Sequence, residues 1–246
     1  MRILFLDIET SPNKVYVWGL WQQNVAPTQI IESSKVLCWA AKWHHQQRVL
    51  FESCQHGDER TMVTKMHALL AQADMVVHYH GSAFDIPTLN KEFLLYELAP
   101  PPPIRELDLL RVVRKRFRFP SNRLDYVCKR LGLGEKFEHE GQELWNKCLH
   151  GDRHAWATMK AYNQQDVRLL ERLYHRLLPW IKTHLNWGVF RQSGLVCPNC
   201  GSAQAQRRGT ATSLVGVYQR YQCTACGSWF RSSLNTRAKG ERFVSL

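Results

Sequence analysis

Short apolar runs and amphipathic stretches alternate along the first three quarters of the chain. Met1–Ile8 is an almost unbroken apolar run, the pattern of a strand buried on both faces. Val15–Trp21 and Val36–Trp43 are rich in β-branched and aromatic residues and predict two further strands. Helical spacing over Asp58–Ala73 puts Met62, Met66, Leu69 and Leu70 on one side. Met75–His80 is a fourth short strand. A helix follows it, with Pro87 in its first turn and Leu89, Phe93 and Leu94 facing inward. The four prolines Pro100–Pro103 exclude a helix and mark a stiff surface connector. Ile104–Leu110 predicts a fifth strand running into a helix, and Leu124–Leu131 a short helix closed by Gly132. The last long helix is expected from about Arg153 to Thr183, with Val167, Leu170, Tyr174, Leu177 and Ile181 stepping by three and four.

Three strands followed by helix–strand–helix–strand–helix suit an α/β fold with a mixed five-stranded sheet flanked by helices, an order that resembles ribonuclease-H-like folds. After Trp187 the composition changes to Gly, Ser, Arg and paired cysteines. The chain therefore divides into residues 1–187 and a small β-rich domain over 188–246.

That second domain carries Cys197-Pro-Asn-Cys200 and Cys223-Thr-Ala-Cys226. Two C-x2-C pairs suit two tight knuckles closing on one structural Zn²⁺, with no position open for catalysis. Strand-like stretches at Thr210–Thr212 and Leu214–Gln222 lie between the knuckles, and Trp229 and Phe230 follow. The other cysteines, Cys38, Cys54, Cys128 and Cys148, lack ligand spacing and read as inert thiols.

The formal charge is +12, which favours a polyanionic partner, above all nucleic acid. Residues 188–246 hold eight Lys or Arg and one acid, Glu241, a balance of +7. Arg207, Arg208, Arg220 and Arg231 are placed to meet phosphates, although a protein-docking role fits a zinc ribbon equally. Arg111, Arg114, Lys115, Arg116, Arg118 and Arg123 form a second basic run, with Phe117 and Phe119 between them. That run reads either as a backbone-tracking groove or as an exposed helix face. No apolar run reaches the length of a membrane span, and the N-terminus lacks a signal-peptide pattern. A cytoplasmic protein with no membrane partner is expected.

Four acids stand in apolar settings. Asp7 and Glu9 lie two apart on the first strand and so share a face, where two carboxylates repel unless a cation lies between them. Asp85 follows the fourth strand, where it also suits a helix cap. Asp166 falls on the apolar stripe of the long helix, one turn after Tyr162. Asp108 and Asp125 lie near helix starts, where capping accounts for them.

In this order and setting the segments Leu6-Asp7-Ile8-Glu9-Thr10-Ser11-Pro12, Phe84-Asp85-Ile86-Pro87-Thr88-Leu89 and Tyr162-Asn163-Gln164-Gln165-Asp166-Val167 resemble the DEDDy 3′→5′ exonucleases. These include the proofreading domains of family B DNA polymerases. Leu124-Asp125-Tyr126-Val127 resembles the stretch between the second and third motifs. The chain departs from the second motif at His80, where the family pattern has Asn.

The resemblance implies that Asp7, Glu9, Asp85 and Asp166 hold two Mg²⁺ or Mn²⁺ ions. It also implies that Tyr162 orients the attacking water and that 5′-mononucleotides leave a 3′ end. Thr10, His80, Phe84, Arg114, Arg116 and Arg118 become candidate substrate contacts. DNA with single-stranded ends is the expected substrate. The same chemistry on RNA, a non-catalytic adaptor on a nuclease fold and a structure-selective endonuclease remain open.

Overall fold

The computed structural model describes residues 1–191 and 194–237. Positions 238–246 of the expected ribbon, including Glu241, lie outside the described residues, as do Gln192 and Ser193. The elements run β1 (Ile3–Thr10), β2 (Lys14–Val15), β3 (Ile30–Glu32), β4 (Val36–Trp43), β5 (Leu50–Ser53), α1 (Glu59–Leu70), β6 (Met75–His78) and α2 (Asp85–Leu95). They continue with β7 (Arg105–Asp108), α3 (Leu109–Arg116), α4 (Leu124–Arg130), α5 (Gln142–Leu149) and α6 (Arg153–Leu177). A short α7 (Trp187–Phe190) precedes β8 (Ala205–Thr212), β9 (Val217–Cys223) and β10 (Trp229–Asn235).

Contacts divide the chain into two compact units, Arg2–Leu173 and the residues from Tyr174 onward, together with Met1. In the first unit the sheet order is β5-β4-β1-β6-β7. β4 is antiparallel to both of its neighbours, and β1, β6 and β7 run parallel. The expected mixed five-stranded sheet is therefore present, but one of its strands differs. Of Val15–Trp21 only Val15 is in a strand, at the end of the two-residue β2, which pairs with β3 outside the main sheet. Its place is taken by Leu50–Ser53. Tyr16, Trp18, Leu20 and Trp21 are exposed, so β propensity in that stretch found no sheet face to cover.

Strands β1, β4 and β6 are buried almost end to end, as expected for strands covered on both faces. On one face Leu4, Leu6, Ile8 and Val76 pack with Met62 and Met66 of α1 and with Leu89 and Phe93 of α2. On the other, Leu37 and Cys38 pack with Leu144 and Cys148 of α5 and with Trp156, Met159 and Tyr162 of α6. Each large apolar side chain removed from water in these layers contributes about 1.5–3 kcal/mol. The helix α5 was not visible in the sequence pattern, because only Leu144 and Cys148 of its eight residues are buried.

In the second unit α6 ends at Leu177 and a 3₁₀ turn covers Leu178–Trp180, so the helix stops before the expected Thr183. Pro179 accounts for the stop, since it cannot continue the hydrogen-bond ladder. The linker then packs with the cysteine knuckles: Asn199 donates to the Leu178 and Ile181 carbonyls at 2.8 and 2.9 Å. The Trp187 amide donates to the Pro198 carbonyl at 2.9 Å. Strands β8, β9 and β10 form an antiparallel sheet in the order β10-β9-β8. β8 begins at Ala205, well before the expected Thr210, and a turn over 213–216 precedes β9.

Candidate active site

Pleating puts Asp7 and Glu9 on the sheet face covered by α5 and α6. Their partners across the β1–β4 pair are Ala40 and Cys38, small side chains that leave room for two carboxylates. The helix α6 crosses this face and brings Asp166, 2% exposed, to the same point. Ligating oxygens of Asp7, Glu9 and Asp166 lie within 4.8 Å of one another. Asp85 stands beside this trio rather than in it. It is the first residue of α2, is buried, and accepts the Ile8 amide of β1 at 3.3 Å. Phe84, not Asp85, occupies the cap position of that helix.

Burial and mutual repulsion raise the proton affinity of all four acids. Burial, followed by the charges of Asp166, Glu9 and Asp85, pushes the Asp7 carboxyl well above the usual carboxylate range. Burial and then Asp166 push Glu9 up to about 8. Burial raises Asp85 to about 6, against the opposing effect of His78. Asp166 is also raised by burial, with Lys136 opposing. The Tyr162 hydroxyl is raised by burial and then by Glu9 and Asp166, so it stays a neutral donor.

Two residues that the motifs did not single out complete the site. Asn163, fully buried, donates from Nδ2 to Asp7 Oδ2 at 2.6 Å. Lys136, from the segment before α5, bonds Asp166 Oδ2 and donates to the Tyr162 hydroxyl at 3.1 Å. Burial opposes the charge on its ammonium, but the Asp166 carboxylate beside it outweighs this and keeps it protonated. Asn163 could have been noticed as the polar neighbour of Tyr162 on a buried helix face. Lys136 carries no local signal, since its role depends on a loop folding back over α6.

A cleft of about 550 Å³ opens over these groups. Asp7, Asp166, Lys136, Tyr79, His80, Arg114, Arg123 and Asp125 line it. Of the expected substrate contacts, His80 and Arg114 therefore face the cleft. Thr10, Phe84, Arg116 and Arg118 do not line it, and Arg116 and Arg118 are exposed on and just beyond α3. His80 has a left-handed backbone, φ 74°, and its amide donates to Asp108 Oδ1 at 3.0 Å. The same oxygen caps α3 through the Leu110 amide, so Asp108 is structural as expected. Asp125 makes no cap: it sits in the first turn of α4, where the helix dipole favours a negative charge.

Asp166 Oδ1 is buried with no hydrogen-bond partner among the described residues. A buried carboxylate oxygen left over among mutually repelling acids fits a bound divalent cation, and an all-oxygen donor set suits a hard one.

The second group is Cys197, Cys200, Cys223 and Cys226, whose sulfurs also lie within 4.8 Å of one another. The two knuckles repeat one hydrogen-bond scheme. The Cys197 amide donates to the Ser202 carbonyl and the Gly201 amide to the Cys197 carbonyl. The Cys223 amide donates to Ser228, and Gly227 to Cys223, in the same way. Gly201 and Gly227 have φ of 72° and 79°, a conformation that favours glycine. Sulfur separations of 3.6 Å for Cys197–Cys226 and 3.7 Å for Cys200–Cys223 suit the edges of one tetrahedral thiolate site, about 3.8 Å.

A profile of the RNase H superfamily matches residues 4–178, and the chain belongs to that superfamily. Membership supports a nuclease. The fold is similar to that of the family B DNA polymerase from the hyperthermophilic archaeon Pyrobaculum calidifontis, with a TM-score of 0.56 and 19% identity. The likeness covers 72% of this chain and 24% of the polymerase, so the chain spans about a quarter of that protein's length. No curated protein sequence matches significantly. No helix among the described residues is long and apolar enough to cross a membrane.

Proposed function

We propose that the protein is a metal-dependent 3′→5′ exonuclease acting on DNA with single-stranded ends, and that it releases 5′-mononucleotides. Catalysis belongs to residues 1–187, and a zinc-stabilised ribbon occupies 188–246. The observation that carries this reading is the convergence of half-buried Asp7 and Glu9 with buried Asp166, beside buried Asp85 and one helical turn from Tyr162. Asp7, Glu9, Asp85 and Asp166 hold two Mg²⁺ or Mn²⁺ ions, and Cys197, Cys200, Cys223 and Cys226 hold one Zn²⁺. The divalent ions supply charge neutralisation at the scissile phosphate and lower the pKa of the attacking water.

The chain's own groups do the rest. Asn163 fixes the rotamer of Asp7 by donating to one of its oxygens. Tyr162, neutral and buried, is placed to hydrogen-bond the attacking water. Lys136, within reach of Tyr162 and Asp166, adds a positive charge where the phosphate becomes more negative. Arg114 and Arg123 on the cleft wall hold the approaching backbone by its phosphates. His80 on the same wall offers a ring nitrogen to the terminal nucleotide. Cytoplasmic localisation fits such a role.

The test uses a 5′-labelled single-stranded DNA, its RNA counterpart and a DNA blocked by 3′ phosphorothioates, each with Mg²⁺ or Mn²⁺. A ladder shortening from the 3′ end, stalled by the block and absent with Asp7→Ala, is the expected result. Faster digestion of RNA would assign the activity to RNA. Internal cuts in the blocked substrate would indicate an endonuclease. Binding without cleavage under either metal would leave an adaptor on a nuclease fold.

A further inference from the structure

One face of the ribbon sheet carries the exposed Arg208, Arg220 and Arg231 beside Trp229 and Tyr218, while Arg207 lies on the other face with Tyr221 and Phe230. The β9–β10 register sets Arg231 opposite Arg220 and Trp229 opposite Gln222. Residues two apart share a face, so Tyr218, Arg220, Gln222, Trp229 and Arg231 project together. Two ring contacts agree with that placement. The Arg220 guanidinium lies 5.1 Å from the Trp229 ring centroid, and that of Arg231 lies 3.8 Å from Tyr218. Arg208 joins them from β8, where its guanidinium donates at 2.9 Å to Gln206, the residue opposite Gln222.

Like charges directly opposed on neighbouring strands destabilise a sheet. Here Arg220 and Arg231 are opposed, and no carboxylate lies among the described residues from Leu185 onward. Trp229 is 53% exposed, a large ring left in water on a small domain. Paired arginines that lack acids ask for an anion. The exposed Trp229 ring beside them asks for a flat apolar surface. A single-stranded nucleic acid supplies both, with phosphates at regular spacing and bases that stack on aromatic rings whatever their sequence. A protein partner would need several acidic side chains around an apolar contact. A duplex would offer phosphates but no open base face.

We propose that this ribbon face binds single-stranded nucleic acid, with Trp229 stacking on a base, Tyr218 holding the Arg231 guanidinium, and Arg208, Arg220 and Arg231 contacting phosphates. The binding needs no hydrolysis and does not depend on the nuclease reading.

Affinity is measured by fluorescence anisotropy on the full-length, zinc-loaded chain carrying Asp7→Ala, so that the probes persist. The probes are labelled oligothymidylate, oligouridylate and a DNA duplex of the same length. Trp229→Ala should weaken single-strand binding by about 5- to 150-fold, the range expected for one lost stacked base, and Trp229→Phe should restore most of it. Arg220→Ala combined with Arg231→Ala should lower the slope of log affinity against log salt by about 1.4, or about 0.7 per lost contact. Arg207, one of the four arginines expected to meet phosphates, lies on the opposite face by its register with Tyr221, and Arg207→Ala, which removes one charge where the pair removes two, should change affinity less than about twofold and the salt slope by less than half as much as the pair. Zinc-to-protein ratios equal to that of the parent verify that each variant ribbon is folded. The proposal is overturned if the Arg220/Arg231 pair behaves like Arg207, or if the duplex is bound as well as the single strands and Trp229→Ala has no effect. Retained affinity in every face variant would leave this surface to a protein partner.

Discussion

Asn163 Nδ2 and Asp7 Oδ2 meet at 2.6 Å although 156 residues separate them in the chain. The bond spans from α6 to the first strand and sets which Asp7 oxygens point into the cleft. Removing the donor while keeping the volume should therefore act on metal binding more than on folding. Asn163→Leu is expected to lower metal affinity or hydrolysis by about 10- to 100-fold, the usual effect of losing a group that orients a ligand. Titrating activity against Mn²⁺ checks this. A curve superimposable on that of the parent would mean that Asp7 orients itself.

Lys136 is the one cation in contact with Asp166 among the described residues. In the metal-free protein it offsets part of the carboxylate repulsion. Lys136→Met should cost the metal-free form about 2 kcal/mol at pH 8. This is less than the 3–5 kcal/mol of a fully buried pair, because the Lys136 side chain is 29% exposed. Saturating Mn²⁺ should narrow the gap, since the ions then neutralise the acids. Denaturant melts with and without Mn²⁺ read both quantities, and an unchanged gap would separate Lys136 from the metal site.

Glu9 titrates near 8 in the fold and Asp7 is raised as well, whereas a free Glu titrates near 4.3. Between those values the folded chain binds more protons than the unfolded one, so stability falls as pH rises. The contribution is intact below about 4.3 and is lost as pH climbs towards 8. The metal-free protein is expected to melt at a higher temperature at pH 5 than at pH 8, and added Mn²⁺ should raise the midpoint more at pH 8. Equal midpoints at the two pH values would show that the acids are already compensated.

The ribbon has little core of its own, with Cys197 and Cys223 its most buried apolar residues. Its stability should therefore rest on the metal. Cys223→Ser is expected to abolish stoichiometric zinc and the hydrogen-exchange protection of β8, β9 and β10, while protection in β1, β4 and β6 persists. Protected ribbon amides in the zinc-free variant would show that the sheet stands without it.

The buried strands, the flanking helices and the paired cysteines were legible because each leaves a local trace. Such traces are a continuous apolar run, a three-and-four step, or a fixed ligand spacing. Val15–Trp21 misled for the same reason. Its aromatic and branched residues carry β propensity, but propensity does not say whether a sheet face is available, and Leu50–Ser53 took the place. Among the acids, Asp7, Glu9 and Asp166 were distinguished by standing where burial is costly, and their oxygens lie within 4.8 Å of one another. Asp85 gave the weaker signal and keeps the more distant position, held by the Ile8 amide.

By itself the sequence determined the class of fold, the carboxylates that share a strand face or a helix stripe, and the two knuckles of the ribbon. Each follows from residues a few positions apart, where geometry is fixed by backbone periodicity. Only the tertiary structure decided that Lys136 reaches Asp166, that Asn163 holds Asp7, and that Arg114 but not Arg116 or Arg118 faces the cleft. It likewise set Arg220 against Arg231. Those relationships depend on loop closure and strand register, which are settled by the packing of the whole chain and leave no period in its sequence.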